Sequence, residues 1–184
     1  MKFKDYINES FMISYHGSSA KITSIEAKYM NEGNNQEGIG FYSGSLATAE
    51  TYGKNIVQLE VNKSNYIDSR KDVCDFLSKR QRLLLFKDMF KSDKETMFYM
   101  ITDWGVEIQE PNDIKTKHLE FMVEKMEFEE VRNFQIELAN QFGVETLVES
   151  WNKHIKRIHG TYQEQGNGEI WFCTINTNIK VKGI

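Results

Sequence analysis

The apolar residues of this chain change their spacing twice, and that change constrains the fold more than any other feature. Up to residue 61 they come in short runs bordered by glycine or polar residues: Phe11 to His16, Phe41-Tyr42, and Ile56, Val57, Leu59 and Val61. Runs of this length read as strands. From Asp68 to about residue 160 the spacing is helical, first through Val73, Phe76, Leu77, Leu84 and Leu85, then through Met97, Met100 and Ile101. Glu110-Pro111-Asn112-Asp113 reads as the start of a helix running past His118, Phe121 and Met122 to Lys125, since proline suits a first helical turn. Phe128 to Phe142, stopped by Gly143, and Val144 to Ile158 are two further helical stretches. Strand character returns in Glu169 to Ile175 and in the alternating Ile179-Lys180-Val181-Lys182, whose lysines suit the water side of an edge strand. The expectation is an α+β fold in one domain, residues 1–184, with a split mixed β-sheet built from residues 11–61 and 162–184 and a large helical insertion at about 68–160.

Within the first part, Met30 to Gly40 is rich in Asn, Gly and Glu and reads as a mobile loop. Gly38 and Gly40 relieve steric demands beside Phe41-Tyr42. Ser45 reads as the N-cap of a helix from Leu46 to Tyr52, with Glu50 placed to help and Gly53 as its stop.

The residues that carry chemistry lie on the glycine-bordered runs. They are His16 in Tyr15-His16-Gly17-Ser18-Ser19, Tyr42 in Gly40-Phe41-Tyr42-Ser43, Tyr52 in Thr51-Tyr52-Gly53, and Glu169 in Gly168-Glu169-Ile170-Trp171-Phe172. A histidine to orient a ligand, two rings to sandwich a flat heterocycle and a carboxylate to steady a developing cation suit cleavage of the nicotinamide bond of NAD. The aromatic and Met residues of the helical stretch, among them Phe76, Phe86, Trp104, Phe121, Phe128 and Met122, read as core.

In that order, these residues resemble the NAD-binding half of the histidine-tyrosine-glutamate class of ADP-ribosyltransferases, which holds the diphtheria-type toxins and the poly(ADP-ribose) polymerases. The resemblance covers residues 14–61 and a few residues near the C terminus, and it implies an ADP-ribosyltransferase-like fold. It implies Glu169, His16 and Tyr42 as catalytic residues, and NAD, as cosubstrate, held by His16, Gly17, Ser18, Tyr42, Ser43 and Tyr52. Asn167 stands where arginine-directed members of the wider superfamily carry Glu or Gln, which argues against an arginine acceptor.

The function so implied is mono-ADP-ribosyl transfer from NAD to a macromolecular acceptor, a protein or a nucleic acid, including a host factor. Two alternatives stand beside it: an NAD glycohydrolase or related ADP-ribose or RNA-phosphate enzyme, and a non-catalytic phage adaptor that binds a host protein. The phage element comes from Met1-Lys2-Phe3-Lys4-Asp5-Tyr6-Ile7-Asn8-Glu9, which resembles the leaders of proteins of large tailed bacteriophages, with Ile7-Asn8-Glu9 fitting their processing site.

Charge and cysteine content narrow the setting. A net charge of -4, from 27 acidic and 23 basic residues, carries no basic excess for a constitutive nucleic-acid binder, although a local basic patch is compatible with it. Cys74 and Cys173 read as buried thiols of a reducing compartment. Apolar runs too short for a bilayer point to a cytoplasmic protein, in the host cytoplasm if phage-encoded, with no membrane partner. His118, His154 and His159 lack ligand spacing, so no metal is expected.

Overall fold

A computed structural model of the protein describes residues 11–30, 38–126 and 129–184. The calls on the leader, on the loop tip at 31–37 and on Phe128 lie outside these residues. The strands are β1 (Phe11–Ser18), β2 (Phe41–Ser43), β3 (Asn55–Asn62), β4 (Tyr66–Asp68), β5 (Gly160–Glu164), β6 (Ile170–Thr174) and β7 (Val181–Gly183). The helices are α1 (Leu46–Tyr52), α2 (Lys79–Ser92), α3 (Lys94–Asp103), α4 (Thr116–Lys125), α5 (Val131–Phe142) and α6 (Val144–His154). The architecture is α+β with mixed, open sheets, and no described helix is long and apolar enough to cross a membrane.

Two sheets form, in the orders β1-β3-β7 and β2-β6-β5-β4. Each draws strands from both ends of the chain: β7 pairs with β3, and β2 pairs with β6, all antiparallel. The sheets meet at one point, where Tyr15 on β1 exchanges both backbone hydrogen bonds with Gly44 just after β2, at 2.8 and 2.9 Å. β3 shows how sequence sets the layers. Its buried apolar residues are Val57, Leu59 and Val61, a strict period of two, while Ile56 is only half-buried and Glu60 faces water.

The five helices α2–α6 lie between β4 and β5 in the chain, and α2 packs on both α6 and α4. Ser78 opens α2 with a capping box: its hydroxyl accepts from the Gln81 N–H, and the Gln81 side chain accepts in return from the Ser78 N–H. Gly143 ends α5 and precedes α6 in a single step, at a φ of 86° that only glycine adopts freely. Glu110-Pro111 opens a short 3-10 turn, Pro111–Asp113, and the helix itself starts later at Thr116. Phe86 and Met122 are fully buried, but Phe76, expected in the core, is 41% exposed.

Candidate functional site

A cleft of about 420 Å³ opens where the two sheets meet, with β1, the end of β2 and α1 as its walls. Its formation depends on a close approach of backbones. A Cβ at Gly17 would stand 1.7 Å from the carbonyl oxygen of Ala49, so β1 and α1 touch main chain to main chain at that position. Ser45 caps α1 as its spacing predicts, accepting from the Thr48 N–H at 3.2 Å.

The structure brings His16, Gly17, Ser18, Tyr42, Ser43 and Tyr52 together along this cleft. His16 lies on the Phe41 ring, centroid to centroid 4.0 Å. Its Nδ1 is 2.6 Å from the carbonyl oxygen of Tyr42. A carbonyl only accepts, so Nδ1 carries the proton. Burial pushes the imidazole pKa below its ordinary value, against the opposing pull of that hydrogen bond. The neutral ring therefore offers Nε2 as an acceptor, suited to a ligand hydroxyl or amide N–H. The Tyr42 hydroxyl donates to the carbonyl oxygen of Gly38 at 2.7 Å, which fixes the ring. Ser43 is 5% exposed, and its hydroxyl has no hydrogen-bond partner among the described residues. Tyr52 is 66% exposed at the rim.

Thr48, Tyr29 and Trp171 also line the cleft, and sequence reasoning missed them. Two of the three had a signal: Thr48 precedes Tyr52 by one helical turn, and Trp171 shares a strand face with Glu169. Tyr29 had none, because it arrives from a short 3-10 turn.

Glu169 is not among the residues that line the cleft, although it is bonded to Thr48, which is. Its Oε1 accepts from the Ser45 N–H at 2.9 Å and from the Thr48 hydroxyl at 2.7 Å, so the carboxylate ties β6 to the N-terminal turn of α1. Desolvation works against the charge, but the hydrogen bonds from Ser45 and Thr48 outweigh it and bring the pKa down to about 2. Because the folded pKa lies below the unfolded one, the stabilisation is complete above the unfolded value. It is lost as pH falls from about 5 to about 2. Glu169→Gln is expected to cost about 1 kcal/mol at neutral pH, discounted for solvent screening, with the difference from wild type closing as the solution is acidified. Urea denaturation at a series of pH values measures it, and a difference independent of pH would refute the charged tie.

The expectation of an NAD-cleaving transferase is corrected by this arrangement, and the glycohydrolase alternative with it. No group of three or more His, Cys, Asp and Glu side chains that could hold a metal ion occurs among the described residues. The one carboxylate assigned to catalysis is bound into a helix terminus and does not line the cleft beside His16 and Tyr42. Neither a family model nor a curated protein matches the chain. A solved structure titled "Crystal structure of an anti-CRISPR protein" is similar over 95% of this chain and 96% of that chain, at 13% identity and a TM-score of 0.39.

Proposed function

We propose that this chain works by binding: a non-catalytic, phage-encoded adaptor that captures a macromolecular host partner and holds NAD in its cleft as a ligand it does not turn over. The observation that carries the reading is the composition of the cleft, where Tyr42, Tyr52, neutral His16 and the serines Ser18 and Ser43 line a single space of about 420 Å³. That volume lies in the range of pockets that enclose small ligands. Aromatic faces take a flat heterocycle, while an imidazole acceptor and a serine donor suit ribose or amide groups. Removal of Glu169 from the cleft leaves no carboxylate among its lining residues to stabilise a developing cation.

Calorimetric titration with NAD, paired with an assay for released nicotinamide, tests this. Binding without nicotinamide release is expected. Tyr42→Ala should weaken binding about tenfold, the scale of one lost stacking contact with its buried area. Tyr42→Phe should lose less, since the hydroxyl serves mainly to fix the ring through Gly38. Absence of binding heat, or steady release of nicotinamide, would overturn the proposal.

A further inference from the structure

A second groove, of about 510 Å³, lies at the far end of α6 and has a different chemistry. Lys153, His154, Lys156 and Arg157 line it, together with the ring of Phe76. Residues 153–159 read Lys-His-Ile-Lys-Arg-Ile-His, a local basic run in a chain whose net charge is -4. Lys156 and Arg157 are both exposed, and neither has an ion-pair partner among the described residues.

The backbone that carries them is held in place. Trp151, fully buried, donates its indole N–H to the carbonyl oxygen of Ile158 at 3.0 Å. Ile158 N–H donates back to Ile155, and His159 N–H donates to the carbonyl oxygen of Asn65 at 2.7 Å. Lys156 and Arg157 thus sit on a turn closed from both sides. Asp88 on α2 anchors the start of the run, accepting from Lys153 at 2.9 Å and lying 2.8 Å from His154 Nε2. It offsets part of the charge of Lys153 and leaves the two following cations to face outward.

Phe76 completes the site. It is 41% exposed although its spacing marks it for the core, and it lines the cationic groove. A positively charged groove with an accessible aromatic ring matches the way single-stranded nucleic acids are held, phosphates on the cations and bases on the ring. An acidic peptide would use the cations and leave the ring idle.

We propose that this groove binds single-stranded nucleic acid, with Lys153, Lys156 and Arg157 on the phosphates and a base stacked on Phe76. The site is separate from the cleft and stands whether or not NAD binds there. Fluorescence anisotropy with a labelled oligouridine about 20 nucleotides long tests it. Three phosphate contacts predict that raising salt from about 50 to about 200 mM weakens binding about twentyfold. The double variant Lys156→Glu, Arg157→Glu should weaken it at least tenfold, and Phe76→Ala by a smaller but measurable factor. Both changes are at exposed positions, and an unchanged thermal melt establishes that the variants are folded. No binding by wild type at micromolar protein, an unaffected charge-reversal variant, or equal binding of a polyglutamate competitor would each overturn the proposal.

Discussion

Gly17→Ala is expected to destabilise the protein by about 3 kcal/mol and to distort the cleft, although it adds one methyl group. The new Cβ would stand 1.7 Å from the Ala49 carbonyl oxygen, 2.6 Å from its carbonyl carbon and 3.2 Å from its Cα. All three are main-chain atoms of α1, so no rotamer change makes room. The helix would have to lift by about 1.5 to 2 Å to restore ordinary contact. Ala49 is itself buried at 2% exposure, and α1 carries Thr48 and Tyr52 along the cleft. Lifting the helix also pulls Thr48 and the Ser45 N–H away from Glu169, so strain at one wall breaks the tie at the other. The denaturant midpoint reads the stability, and NAD titration reads the cleft. Wild-type values in both would mean that β1 and α1 do not meet as described.

The same contact shows which parts of the structure the sequence made legible. Glycine at 53 reads as a helix stop, and Gly53 does end α1. Yet a Cβ at Gly53 would stand 2.2 Å from the backbone of Ser18, so its second role is to let strand and helix pack without side chains between them. That role depends on which segments meet in space, which local pattern does not encode. Local signals served best where the physics is local. The Ser45 cap and the Gly143 stop depend on neighbours within four residues, and the strand read over residues 55–61 announces itself by its own alternation. The division into two sheets was not legible, because it rests on β7 pairing with β3 and β2 pairing with β6, segments far apart in the chain.

For the site, residue type was readable and role was not. His16, Tyr42, Ser43 and Tyr52 reach one cleft because they sit at the ends of β1, β2 and α1, which converge. Glu169 lies near them in space, but its carboxylate meets the open N–H of Ser45 before any ligand does. A free helix N-terminus attracts a carboxylate strongly enough to recruit the nearest one, and spacing along the chain gives no sign of it. Phe76 misled in the opposite direction. It follows a helical period, but it caps a 3-10 turn before α2 begins, so the period that predicts its burial does not apply there.

Trp151→Ala is expected to have the largest effect of any single change, a loss of about 3 to 5 kcal/mol. Trp151 is the largest fully buried side chain, and it lies on α6, the helix that packs against both α2 and α5. Truncation removes most of its buried area and leaves a cavity in the helical layer. It also leaves the Ile158 carbonyl without the indole donor. Trp151→Phe separates these contributions, since it keeps much of the apolar volume and lacks the N–H. We expect it to cost about 1 to 3 kcal/mol, as measured by denaturant unfolding. Because it frees the turn that presents Lys156 and Arg157, it should also weaken oligouridine binding while the fold persists. Weakened binding in a folded Trp151→Phe protein ties the basic groove to the buried core. Unchanged binding would assign Trp151 to stability alone, and a near-wild-type midpoint for Trp151→Ala would refute its place at the centre of the helical layer.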